Sequence, residues 1–161
     1  MGRAGSTTGP LPSHPLDPLP SLQAAGPLKY DHLLVALVDA APTALSDGSK
    51  TALAAAAGLA SAHGSRVTVL LVDAVAPADG GAARAAAIAA ALSDSVPGDR
   101  LDFLEKGLDA ESTHNAAAAI GDSVDVTAAD LLVLSSDAIH SKAVDANLLA
   151  EFVDCALLLL P

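Results

Sequence analysis

The sequence predicts an α/β fold in which helices cover both faces of a doubly wound, five-stranded parallel sheet. Short apolar runs alternate with helix-forming segments along the chain. This alternation is typical of parallel sheets whose strands are joined by helical crossovers. Most of these runs are also apolar without interruption, as expected of strands that are buried on both faces.

Residues 1–28 differ from the rest and are predicted to form a proline-rich arm ahead of a single domain at residues 29–161. Proline lacks an amide donor and fixes φ, so neither a helix nor a sheet ladder runs through the arm. Two interpretations stay open: a disordered tail or transit-peptide remnant, or an arm that lies along a partner. In the second case the contacts come from Pro10, Pro12, Pro15, Pro18 and Pro20.

The first half of the domain predicts two strands and two helices. Residues 31–39 form the first strand, and a helix beginning near Asp47 ends at Gly64, a favourable helix stop. The β-branched and apolar residues 66–72 form the second strand. The alanine-rich residues 82–92 form the second helix.

The third strand, at residues 101–105, mixes apolar and charged side chains. Asp102 and Glu105 interrupt it, which favours an exposed edge of the sheet. A third helix is predicted to begin at residue 111, and residues 124–129 are predicted to connect it to the next strand.

The C-terminal part predicts two strands, a loop and a short helix. Residues 131–134 form the fourth strand, and residues 135–143 are predicted to be a loop. Asp145 is placed to cap the helix that follows. Residues 157–160 form the fifth strand.

The charge balance and the few reactive residues exclude several functions. The formal net charge is −11, with only 8 Lys and Arg residues, which disfavours nucleic acids and anionic membranes. No nucleophile motif, phosphate-binding loop motif or pair of histidines at ligand spacing occurs, so we expect neither an enzyme nor a metal site. The single cysteine, Cys155, precedes an apolar strand and is predicted to be a buried structural thiol.

Several phrases give the chain a resemblance to a known family. HLLVALVD, VTVLLVD, ADLLVL and the ending CALLLLP stand where the strands are predicted. With them, residues 29–161 resemble the universal stress protein family. The resemblance implies the strand order 3-2-1-4-5, with the first and fourth strands flanking the crevice, and frequent dimerisation through the fifth strand.

A narrower resemblance is to a green-plant and algal branch of this family that is associated with chloroplasts. It is carried by PLKYDHLL and by AIHSKAVDANLLAEFVDCALLLLP. It implies a location in the chloroplast stroma or on the stromal face of the thylakoid. Without this branch the expected location is the cytoplasm.

Nucleotide-binding members of the family carry a glycine loop after the fourth strand, and this sequence departs from that pattern. The positions of that loop are occupied by Ser135, Ser136, Asp137 and Ala138. No glycine follows Gly121 in the sequence. Glycine lets backbone amides approach phosphates, so we expect no ATP cofactor. Asp39, Ser135 and Ser136 would form a vestigial nucleotide site. Alternatively, Asp39 is a strand-end residue that bonds nearby amides.

The remaining candidate residues suggest protein contacts. His140 and Lys142 in the predicted loop would hold a small anion, contact a partner or be solvated. Leu157, Leu158 and Leu159 would form a bare edge strand that a second copy or another protein covers, unless helices of the chain cover both faces.

The resulting functional prediction is a non-catalytic module that docks on a larger assembly. The branch resemblance implies a thylakoid photosystem complex, with a role in its assembly, repair or protection. The alternative is a homodimeric sensor of adenine nucleotides or small anions in the stress response.

Overall fold

The computed structural model describes residues 28–39, 41, 43–74, 78–108 and 115–161, together with Gly5 and Gly9. The five predicted proline contacts of the arm lie outside these residues. The strands are β1 (His32–Leu37), β2 (Arg66–Asp73), β3 (Leu101–Gly107), β4 (Leu131–Ser135) and β5 (Ala156–Leu160). The helices are α1 (Asp47–His63), α2 (Ala82–Leu92), α3 (Asn115–Thr127), α4 (Ser136–His140) and α5 (Ala146–Phe152), and a 3₁₀ turn (Gly98–Arg100) precedes β3.

All five strands are parallel and lie in the order β3-β2-β1-β4-β5, which confirms the predicted fold class and strand order. β1 lies at the centre, where Val35 pairs with Val69 of β2 and Val133 of β4. Strand order reverses between β1 and β4, so a crevice is expected beyond their carboxyl ends.

Two hydrophobic cores lie on opposite faces of the sheet. One packs α1 and α2 against the side chains of Leu33, Val35 and Leu37. The other packs α3, α4 and α5 against Leu34 and Ala36. Right-handed crossovers explain this division. The chain moves one way along the sheet from β1 to β3 and the opposite way from β3 to β5, so the crossover helices lie on opposite faces.

Helix α1 begins and ends with the capping residues that its sequence provides. The side chain of Ser46 accepts a hydrogen bond from the amide of Ser49 at the first turn. Gly64 has a φ of 68° and donates its amide to the Ala60 carbonyl. A residue with a side chain is strained at this φ, so glycine ends the helix here.

Two elements differ from their predictions. α3 extends to Thr127, so residues 124–129 are mostly helical, because Val124 is buried in the second core. The predicted start of this helix at residue 111 lies outside the described residues. Residues 136–140 form the short helix α4 instead of a loop, since Ser135 caps it by accepting the amide of Asp137.

The edge prediction for β3 is confirmed, since this strand pairs with β2 and its side chains are half-buried or exposed. Cys155 is half-buried, so the prediction of a buried thiol was wrong in degree. It lies just before the second edge strand, where less of the chain covers it. Of the helices in the described ranges, none has the length and apolar character needed to cross a membrane.

Candidate functional site

The crevice at the strand-order reversal brings together residues from distant parts of the sequence. Asp39 follows β1 and Ser135 ends β4, and both line a cavity of about 200 Å³. Ser136, which begins α4, is half-buried. The remaining polar lining comes from Ser46, Ser49, Asp137 and Ser141.

Asp39 holds the start of α1 in place. Its Oδ1 accepts hydrogen bonds from the Ser49 hydroxyl at 2.9 Å and from the Ser46 amide at 3.3 Å. The Ser46 hydroxyl in turn donates to the Ser49 hydroxyl at 3.1 Å. The second oxygen, Oδ2, is buried and has no hydrogen-bond partner among the described residues. The described hydrogen bonds of Asp39 are therefore made to the start of α1.

Gly48 lets the first turn of α1 lie directly against the junction of β4 and α4. A Cβ atom at this position would lie 3.0 Å from the Ser135 Cβ and 2.9 Å from the Asp137 Oδ2. Both distances are shorter than ordinary van der Waals contact. The two helix starts thus meet in the crevice with no space for a further side chain between them.

The cavity at the crevice is acidic. Asp39 and Asp137 line it, and no Lys, Arg or His is among its described lining residues. His140 and Lys142 are both exposed, and Lys142 lines a separate cavity beside Asp145. Two carboxylates without a neighbouring cation repel a phosphate, so the electrostatics oppose a nucleotide's phosphate groups.

The outer edge of β5 exposes apolar side chains. Leu157 and Leu159 are 42% and 44% exposed, while Leu158 is half-buried against the first core. Pairing with Leu132 and Leu134 places the two exposed leucines on the face of the sheet that carries α5. Phe152, at the end of α5, is 45% exposed. Among the described residues, helices of the chain therefore do not cover both faces of β5.

The sequence did not predict a second cavity, which has a volume of about 450 Å³. It lies between the first turns of α1 and α2 and is lined by Lys50, Asp79 and Arg84. Arg84 forms a buried ion pair with Asp73 at the end of β2. The sequence feature that could have indicated this cavity is the single arginine within the alanine-rich helix AARAAAIAAAL.

Asp79 precedes α2 and caps its start. Its carboxylate accepts hydrogen bonds from the amides of Ala83, at 3.1 Å, and Gly81, at 3.2 Å. The bond from Ala83 is the main reason that the pKa of Asp79 lies below its ordinary value. Both carboxylate oxygens therefore accept backbone amides at the start of α2.

Across the ranges that the structure describes, no group of three or more His, Cys, Asp and Glu side chains is arranged to hold a metal ion. Among the described residues that line the crevice, two carry carboxylates and the other polar side chains are serine hydroxyls.

Comparison with known proteins relates the chain to others by structure. No family model matches the sequence, and no curated protein is significantly similar to it. The fold is similar to that of a universal stress protein in complex with cAMP (18% identity, TM-score 0.57, covering 83% of this chain and 98% of the other). It is also similar to a universal stress protein family member from Burkholderia pseudomallei (22% identity, TM-score 0.57, covering 82% and 96%).

A third similar structure is the universal stress protein from Archaeoglobus fulgidus in complex with dAMP. The two share 17% identity with a TM-score of 0.52, and the match covers 83% of this chain and 100% of the other. At these identities the similarity is one of fold.

Proposed function

Since this chain has the fold of the universal stress proteins, we propose that it is a non-catalytic module of the stress response that docks on a larger protein assembly. The docking surface is the outer edge of β5 with Leu157 and Leu159. The supporting observation is that two leucines on an edge strand are each more than 40% exposed.

The edge of β5 offers two kinds of interaction to a partner. Within the described residues β5 pairs only with β4, so the backbone groups of its outer edge are open to another strand. An unprotected edge of this kind pairs readily with a second chain. Burial of the exposed part of each leucine would add on the order of 1–2 kcal/mol to association.

Substitutions on β5 test this surface. We expect Leu159→Lys to reduce association with the partner, because a charged side chain on an edge strand blocks pairing and opposes apolar burial. Val126→Lys is the matched control, since Val126 is 80% exposed but lies on α3. Equal loss of association in both variants would contradict a role for the edge.

For the assembly itself, we propose a thylakoid photosystem complex approached from the stroma, on the basis of the chloroplast-branch resemblance in the sequence. The tagged chain should co-sediment with washed thylakoid membranes that retain photosystems. Deletion of residues 1–28 should reduce this binding if the proline-rich arm also contacts the complex. Recovery of the full chain only in the supernatant would contradict the proposed partner.

A second candidate function is a homodimeric adenine-nucleotide sensor. It is favoured by the nucleotides in two structures of similar fold, which hold cAMP and dAMP. The acidic crevice disfavours it. A ligand that binds only the folded state raises the melting temperature. We expect no rise with ATP and Mg²⁺, cAMP or dAMP, and a saturable rise would favour the sensor.

A further inference from the structure

A groove runs along the outside of the molecule between α1 and α2. Its first part is the 450 Å³ cavity beside the helix starts, and its second part is a cavity of about 250 Å³ further along the helices. Leu45, Lys50 and Ala87 line both parts, so the two cavities adjoin each other. The first part, at about 450 Å³, is within the range of pocket volumes that hold small molecules.

Arg84 gives the first part of the groove a buried hydrogen-bond donor. Its side chain is 8% exposed, and its Nη2 pairs with the carboxylate of Asp73, which is 6% exposed. Its Nε and the Oδ1 of Asp73 are both buried, and neither has a hydrogen-bond partner among the described residues. A buried donor left without a partner destabilises the folded state, and more so when the group is charged. Arg84 lines the groove, so an acceptor bound there would lie beside its guanidinium.

The charged groups that line the groove favour an anionic acceptor. Lys50 and Arg84 are its cations, and Asp79 is the one carboxylate among its described lining residues. The oxygens of Asp79 already accept the amides of Gly81 and Ala83. Lys50 is largely exposed and bonds Asp47 at 3.0 Å, a surface pair that contributes little and rearranges easily.

The second part of the groove is apolar. Leu53, Ile88 and Leu92 form its floor, and Ala54 and Ala91 form its sides. Alanines leave the space open because their side chains end at Cβ. A cationic end that continues into an apolar channel matches a molecule with an acidic head and a hydrocarbon tail.

We propose that this groove binds a medium-chain fatty acid or a similar amphipathic carboxylate. The carboxylate lies beside the guanidinium of Arg84 and Lys50 Nζ, and the hydrocarbon chain lies along Leu53, Ile88 and Leu92. This site is separate from the crevice at the strand-order reversal and from the edge of β5, so it does not depend on the proposed docking function.

Titration of the full-length chain with octanoate, followed by ¹H–¹⁵N NMR, tests the proposal. We expect saturable shifts in α1 and α2. Octanol keeps the tail without the charge, and acetate keeps the charge without the tail. Each should bind at least about tenfold more weakly, because octanol loses the hydrogen bonds to the charged groups and acetate loses the burial of the tail.

Two neighbouring alanines of α2 provide a matched pair of variants. Ala87 lines both parts of the groove, and Ala86 is exposed but lines neither. Ala87→Leu should weaken octanoate binding about tenfold or more by filling the channel, and Ala86→Leu should leave it unchanged. Circular dichroism verifies that both variants fold.

Lys50→Gln should also weaken octanoate binding while leaving the weak affinity for octanol unchanged. Three results would each overturn the proposal. They are the absence of saturable binding of octanoate, equal affinity for octanol, and unchanged binding by a folded Ala87→Leu variant.

Discussion

At the scale of single residues, close contacts at the crevice determine what it can hold. Gly48 brings the start of α1 against Ser135, and Asp39 fixes that start through Ser46 and Ser49. Close packing requires a small residue at Gly48, and hydrogen bonding to the start of α1 requires a polar residue at Asp39. These contacts therefore fix the position of the start of α1 at the crevice.

Replacement of Gly48 tests this packing. We expect Gly48→Ala to lower the free energy of unfolding by about 1–3 kcal/mol, because the added Cβ overlaps Ser135 and Asp137. Gly58→Ala in the same helix has open space around the new Cβ and should raise stability by about 0.5–1 kcal/mol. Urea denaturation of both variants measures the difference, and similar effects from the two changes would contradict the contact.

Cys155 should be a slow nucleophile. Partial burial is the main cause that raises the pKa of its thiol, and the nearby carboxylates of Asp130 and Asp125 add to it. A raised pKa leaves less thiolate at neutral pH, and thiolate is the reactive form. The rate of alkylation by iodoacetamide should rise with pH around a midpoint above that of a cysteine peptide. A midpoint below that of the peptide would contradict this assignment.

At the scale of elements, the ion pair between Arg84 and Asp73 joins the start of α2 to the end of β2. The sequence predicted both elements with nearly correct bounds, since apolar periodicity determines them locally. It gave no sign that their ends are connected. The pairing depends on the crossover that returns α2 to the sheet, which is a tertiary feature.

Removal of one partner of this pair should be costly. Asp73→Ala leaves the buried guanidinium of Arg84 without its counter-ion, and we expect a loss of about 3–5 kcal/mol. The exposed pair between Arg66 and Asp102 is the matched control, and Asp102→Ala should cost no more than about 1 kcal/mol. Guanidinium chloride unfolding compares them. Equal losses would show that burial of the first pair adds nothing.

The element predictions that failed have local physical causes. Residues 136–140 were predicted as a loop because their apolar periodicity is too short to indicate a helix. The cap from Ser135 and the burial of Ala138 against the second core stabilise α4. α3 was predicted too short because Ser123 and Thr127 are weak helix formers, but their hydroxyls bond carbonyls one turn back.

At the scale of the whole molecule, net charge and the apolar edge act against each other. Two copies of a chain with net charge −11 repel each other, while β5 favours pairing. This balance favours a partner other than a second copy, and in particular a partner with a basic surface around its own docking strand.

The salt dependence of self-association follows from this balance. We expect the isolated chain to sediment as a monomer at about 0.01 M salt. Self-association should increase at about 0.15 M, where the Debye length falls from about 30 Å to about 8 Å. Sedimentation velocity measures the change. A dimer that is equally stable at both salt concentrations would contradict the charge argument.

The sequence by itself determined the five strands, the main helices, the strand-edge character of residues 101–105 and the absence of glycine after Gly121. These features depend on neighbouring residues and on the period of apolar side chains, which a chain carries locally. The strand order entered through the resemblance to a family.

Only the tertiary structure decided which distant side chains meet. It placed Gly48 against Ser135, joined Arg84 to Asp73, and opened the groove between α1 and α2. It also left Leu157 and Leu159 exposed on β5. These contacts depend on how crossovers return helices to the sheet and on which atoms then fill the space. Distances of a few ångströms between residues far apart in sequence are not encoded in any local pattern.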